Sequence, residues 1–206
     1  MKTIDKIFGS LIIGFIIPVI SLCIFWWGSF LLGLDEGGWL LFGITLGVFI
    51  DMAILRILVS RMYNFNTIVL IVLFVIYSIG IFGFFMGVPV FNVIAGMMAA
   101  FYIGRKMKLK GADSNIFKAN LTRTNVFSTL MLIVICICSA YIALNDPYTG
   151  DNLKGMLNLN FNVTTEMIWG LIIIGGVSLV AFQYVISILI GRLAYYMPDK
   201  EISNMG

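Results

Sequence analysis

Gly43, Gly47 and Asp51 follow one another at four-residue steps, which sets two small residues and a carboxyl group on one face of a helix. The glycines allow two backbones to approach closely, and the carboxyl group offers a proton site, a cation ligand or a hydrogen-bonded clasp between helices. Asp51 lies 12 residues after Trp39, an expected interfacial anchor. That places it about 18 Å below the surface, near the middle of an apolar layer. A charge at that depth costs on the order of 3 kcal/mol on insertion scales, so the acid has to be paired, hydrated or protonated. Three roles stay open for it: a polar clasp, the handling of an ion, proton or solute, and a docking contact with a partner subunit.

Other polar residues reach a similar depth. Gln183 follows Trp169 by 14 residues, or about 21 Å of helix, and Tyr77 and Ser78 lie 10 and 11 residues beyond Thr67. Asn92 and Pro89 follow the glycine-rich stretch Gly80 to Gly87, an interruption of the kind that borders binding sites in transporters, although a tight hairpin also explains it. Asp51, Tyr77, Ser78, Asn92 and Gln183 are therefore the candidate substrate- or ion-binding residues. Arg56 and Arg105 are the candidate cationic partners of Asp51; Arg56, five residues along, is turned about 140° away on its own helix.

Much chemistry is excluded by composition. The chain has no histidine, which removes the commonest general base and the usual haem and zinc ligand. Cys23, Cys136 and Cys138 stand in apolar runs, where a thiol is a small hydrophobe, and their odd number argues against a disulfide framework. Met97 and Met98 together with Cys136 and Cys138 make only a thin case for a soft metal. A lone acid without a second carboxylate is poor equipment for group transfer. The expectation is a protein that is not an enzyme, with no cofactor, no metal and no nucleic-acid partner.

The helices that must carry these residues follow from hydropathy. Of 206 residues 61% are hydrophobic and 11% charged, with a net charge of +3, and the mean hydropathy is +1.05. Such a chain belongs in a lipid bilayer and leaves no room for a soluble catalytic domain. The reading is all-α: a polytopic integral membrane protein of six transmembrane helices forming one domain over residues 1–206. The spans run about 7–27, 39–60, 67–86, 89–104, 126–144 and 167–194. Lys2 and Lys6 before the first apolar run resemble a signal peptide's start, but the run is too long and lacks a small-x-small cleavage site.

Small or polar residues recur at four-residue steps on the even-numbered spans: Gly43, Gly47 and Asp51; Asn92, Gly96, Ala100 and Gly104; Gly175, Gln183, Ser187 and Gly191. Gly43, Gly47, Gly96, Ala100, Gly104 and Gly191 are the expected helix-packing residues, and these spans the expected inner layer. Spans one, three and five would face lipid more, although Ser10, Gly14 and Pro18 give the first a seam too.

Lys and Arg fix the expected orientation. With the N-terminus inside, the cytoplasmic side gathers Lys2, Lys6, Arg61, Arg105, Lys106, Lys108, Lys110, Lys118, Arg123, Arg192 and Lys200, and the outer side has Lys154. Asp35, Glu36, Asp146, Asp151 and Glu166 fall outside. Both termini are then cytoplasmic, the stretch 105–123 is a basic inner loop, and 153–161 is a mildly amphipathic outer segment. The expected location is a prokaryotic cytoplasmic membrane. The expected partners are the bilayer, a small solute, and a membrane-protein partner or a second copy of the chain. The leading function is solute or ion transport or binding near Asp51; the competing one is a non-catalytic subunit or assembly factor. Phosphatase fusions test the topology: one made after Asp151 should be active and one made after Gly111 inactive, and the reverse pattern refutes this orientation.

Overall fold

In a computed structural model of the chain, residues 3–14, 16–33, 36–85, 87–156 and 158–198 are described, and among them there are helices and turns but no strand. Lys2, Asp35, Met86 and Lys200, and the side chains of Cys23 and Glu36, lie outside the described residues. The expected all-helical class is found. The chain divides into two compact units, Met1–Asn66 and Thr67–Gly206.

The first unit holds α1 (Thr3–Ile13), α2 (Ile16–Leu32) and α3 (Glu36–Arg61), followed by a 3₁₀ turn over Met62–Asn64. The first predicted span is thus divided between two helices, with Gly14 in a turn after α1. Pro18 contributes to the break, since it has no N–H to bond the Gly14 carbonyl. α2 and α3 run antiparallel along their small residues. A Cβ added at Gly43 would lie 2.6 Å from Phe25 Cβ, and one added at Gly47 would lie 2.8 Å from Pro18 Cα and 2.9 Å from Ser21 Cβ. Ser21 Oγ donates to the Gly43 carbonyl at 2.7 Å across the same seam. Near the open end Phe25 stacks on Trp39 with ring centroids 5.9 Å apart.

The second unit holds α4 (Thr67–Phe84), a 3₁₀ turn (Pro89–Phe91), α5 (Asn92–Leu109), α6 (Ser114–Asn145), α7 (Thr149–Met156), α8 (Thr165–Gly170), a π turn (Leu171–Gly175) and α9 (Gly176–Tyr196). α5 and α9 are parallel: Gly96 meets Gln183, and two turns on Gly104 meets Gly191 and Ala194. α6 runs antiparallel to α9, with Leu121 against Gly191 and Asn125 bonded to the Tyr184 carbonyl. Phe117, Leu121, Asn125, Ser128, Leu132 and Ile135 are its buried residues. Their three- and four-residue spacing makes one stripe. α6, the expected fifth span, therefore joins the packed interior along this one stripe, while its other faces, with Leu130 and Ile137, are exposed apolar surface. At the end of this interior Phe117 stacks on Tyr195 at 4.0 Å, and Tyr195 Oη donates to the Ala112 carbonyl at 2.7 Å.

The stretch 105–123, expected as a loop, is mostly helix. α5 continues to Leu109 and α6 starts at Ser114, so the turn between them is four residues long, Lys110 to Asp113. Gly111 takes a left-handed conformation there (φ +62°), and the Asp113 side chain accepts from the Ser114 N–H to start α6. Helix propensity of the intervening residues prevails over their charge, with Arg105 and Lys106 buried and Lys110 and Lys118 left exposed. Of the segment 153–161, expected outside, the start belongs to a short helix, α7 at Thr149–Met156.

Among the described residues four helices are long and apolar enough to cross a membrane: Gly37–Asn64, Thr67–Phe84, Ser114–Asn145 and Thr165–Tyr196. With no water to satisfy backbone groups in hydrocarbon, runs such as Ile68 to Ile76 become helix despite their β-branched residues. Large apolar side chains cover the uncovered faces, among them Met52 (72% exposed) and Phe84 (79% exposed), as a lipid-facing surface would require. α6, at 32 residues, is about 48 Å long. That exceeds a hydrocarbon core of about 30 Å, so its polar first turns with Lys118 and Arg123 project beyond it. The packing of α2 on α3 yields a prediction. Gly47→Leu should destabilise the protein in detergent by about 1–3 kcal/mol or more through overpacking. Gly28→Ala, whose methyl meets no atom within 4 Å, should leave the melting temperature unchanged or slightly raised.

Candidate functional site

In the first unit, α3 carries Asp51 one turn past Gly47, and the α2–α3 seam aims it at the interruption between α1 and α2. Its Oδ2 lies 3.4 Å from where a Gly14 Cβ would stand. Asp51 is 8% exposed, and its Oδ1 is buried with no hydrogen-bond partner. Beside it, the Gly14 carbonyl has no Pro18 N–H to accept. A carboxylate and a backbone carbonyl released from its helix are both acceptors, so this place suits a cation or a proton. Arg56, further along α3, is exposed.

Asp5 is a second buried acid of this unit, fully enclosed and accepting from Tyr63 Oη at 2.9 Å. Sequence reasoning passed over it because it lies beside Lys6 in the polar flank of the first apolar run, where an acid normally faces solvent. Its only signal is the turn over Met62–Asn64, which brings Tyr63 back towards α1.

In the second unit a belt of uncharged polar residues lines the interface of α4, α5, α6 and α9. Asn92 Nδ2 donates to the Ser78 carbonyl at 2.8 Å, joining α5 to α4. Asn125 Nδ2 donates to the Tyr184 carbonyl at 3.1 Å, joining α6 to α9, and Ser128 Oγ donates to the Asn125 carbonyl at 3.1 Å. Gln183 fills the space left by the missing side chain of Gly96, where a Cβ would lie 2.7 Å from its Nε2. Asn92 Oδ1, Asn125 Oδ1, Thr129 Oγ1, Ser187 Oγ and both terminal atoms of Gln183 are buried with no hydrogen-bond partner.

Of the residues singled out from the sequence, the structure brings Ser78 together with Asn92, Gly96 with Gln183, and Gly191 with Gly104 and the Ala100 carbonyl. Tyr77 is half-buried on α4, and Arg105 is fully buried near the end of α5. Asp51 belongs to the first unit and Tyr77, Ser78, Asn92 and Gln183 to the second. Asn125 and Thr129 were not anticipated as site residues. The fifth span was expected to start at Val126, which left Asn125 in a loop; the signal for it was the Asn125, Ser128, Leu132 spacing.

Among the described residues no group of three or more Cys, Asp or Glu side chains could hold a metal ion. Outside the apolar part of α5, burial and then the Lys110 charge lower the Lys106 ammonium below the ordinary lysine range. A separate cavity of about 230 Å³ lies where α6 ends, between Asp146, Pro147, Val163 and Ile168.

Fold and site together describe an all-helical protein whose long apolar helices suit a membrane and enclose acidic and uncharged polar side chains. No protein-family model, no curated protein and no solved structure matches the chain. The Asp5 contact gives a prediction of its own. Tyr63→Phe leaves a buried carboxyl group with one partner fewer and should lower stability by roughly 1.5–3 kcal/mol, read as a lower thermal midpoint in detergent.

Proposed function

We propose that the protein is a non-enzymatic, six-span membrane protein that binds or translocates a small cation, a proton included, or a small solute at Asp51. In this reading the first crossing uses α1 and α2 together, and the fourth uses the 3₁₀ turn and the apolar part of α5. Both termini are cytoplasmic, and the membrane is a prokaryotic cytoplasmic membrane. The observation that carries the function is the unpartnered, buried Asp51 Oδ1 on an apolar helix, set against an interrupted helix. Structural clasping alone would be served by a residue whose acceptors are both engaged. Instead the carboxylate faces Gly14, where the break already frees a carbonyl, the arrangement that interrupted helices provide for ions in transporters.

The experiment is ion flux in liposomes reconstituted with the full chain. The wild type should dissipate an imposed proton, sodium or potassium gradient faster than protein-free vesicles, and Asp51→Asn should fold, reconstitute and return the rate to that of protein-free vesicles. An Asp51→Asn variant as fast as the wild type would overturn the assignment. Native mass spectrometry of protein released gently from its membrane adds a second readout. A bound small molecule supports the reading, whereas a stoichiometric protein partner with no flux favours an accessory subunit.

A further inference from the structure

The belt in the second unit is distinct from Asp51 and has its own chemistry. Asn92 and Asn125 each commit their amide Nδ2 to a backbone carbonyl, of Ser78 and Tyr184 respectively. Only an NH₂ group can donate there, so the identity of each Oδ1 is fixed: both are acceptors, held in place and unused. Gln183 has both terminal atoms unpartnered and can present Oε1, and the Thr129 and Ser187 hydroxyl oxygens are unpartnered too. Asn92, Asn125, Gln183 and Ser187 are each at most 3% exposed. In an apolar interior every such group is costly to leave unmatched.

The register places these oxygens close together. Asn92 is one turn from Gly96, which touches Gln183, and Asn125 binds the carbonyl of the next residue, Tyr184. Thr129 lies one turn from Asn125, and Ser187 one turn from Gln183. Asn125, Thr129, Gln183 and Ser187 therefore fall within about one turn of one another along the α6–α9 face, and Asn92, bonded to α4, stands a turn further out. Acceptors outnumber committed donors, which disfavours an anion. No Asp or Glu occurs in α5, α6 or α9, and without a carboxylate the site lacks the charge that a calcium or magnesium ion needs. Neutral carbonyl and hydroxyl oxygens are the ligands that replace the hydration shell of an alkali cation.

We propose that the α5–α6–α9 interface binds a dehydrated monovalent alkali cation through Asn125 Oδ1, Gln183 Oε1 and the hydroxyls of Thr129 and Ser187. The test uses the purified full-length protein in detergent, melted in sodium, potassium or lithium chloride against N-methyl-D-glucamine chloride at equal ionic strength, with radiolabelled sodium binding measured in parallel. The expected result is saturable stabilisation by at least one alkali ion, together with saturable sodium binding or its displacement by that ion. Ser187→Ala should weaken the apparent affinity about tenfold, and Asn125→Asp should shift the preference towards calcium. Equal melting temperatures in all four salts with no bound sodium would overturn the proposal and leave the belt a set of hydrogen-bonding groups for water. If Ser187→Ala fails to fold, wild-type binding still decides. In Asp51→Asn the stabilisation should persist; its loss there would assign the cation to Asp51 and overturn this site without touching the function proposed for the first unit.

Discussion

The constraint on which the rest of the structure depends is that an apolar layer contains no water to satisfy a polar group. Backbone N–H and C=O groups meet it by forming helices, even through Ile- and Val-rich runs that would favour strands in water. Side chains meet it by reaching for backbone carbonyls on a neighbouring helix, as Asn92, Asn125 and Ser21 do. The informative groups are those that do not meet it. Asp51 Oδ1 in the first unit and the oxygens of Asn92, Asn125 and Gln183 in the second are buried and unmatched. In the two proposals above, these groups, Asn92 apart, are the ones offered to a ligand.

Missing side chains serve two purposes in the two units. Along α2 and α3 the glycines bring backbones together, and the closeness at Pro18 carries Asp51 to the place where α1 gives way to α2. At Gly96 the gap is filled instead by Gln183, so a small residue on one helix creates the seat for a polar residue on another. Dispersion and close fit hold such seams, since burying Leu against Leu gains little when lipid is equally apolar.

The fold was legible where hydropathy controls it. Long apolar runs give helices, and the four long ones stand where the runs stand. Legibility failed at the polar ends. Residues 105–123 read as a charged loop, yet charge does not prevent a helix when the residues propagate one: α5 runs on to Leu109 and α6 begins at Ser114. That shift moved Asn125 from a loop into the middle of a packed interface. Asp5 was invisible for a related reason, because its burial depends on Tyr63, distant in sequence and returned by a single turn.

The amino-acid sequence by itself determined the helical class, the apolar character of the long helices and the four-residue spacing of Gly43, Gly47 and Asp51. These are local properties, fixed by side-chain hydropathy and the pitch of a helix. The tertiary structure alone decided which face meets which. It set Gly47 against Pro18 and Asp51 against Gly14, made α5 and α9 parallel, and packed α6 against both. The physical reason is that close packing and hydrogen-bond direction act between elements far apart in the chain, and no periodicity within one helix records its neighbour.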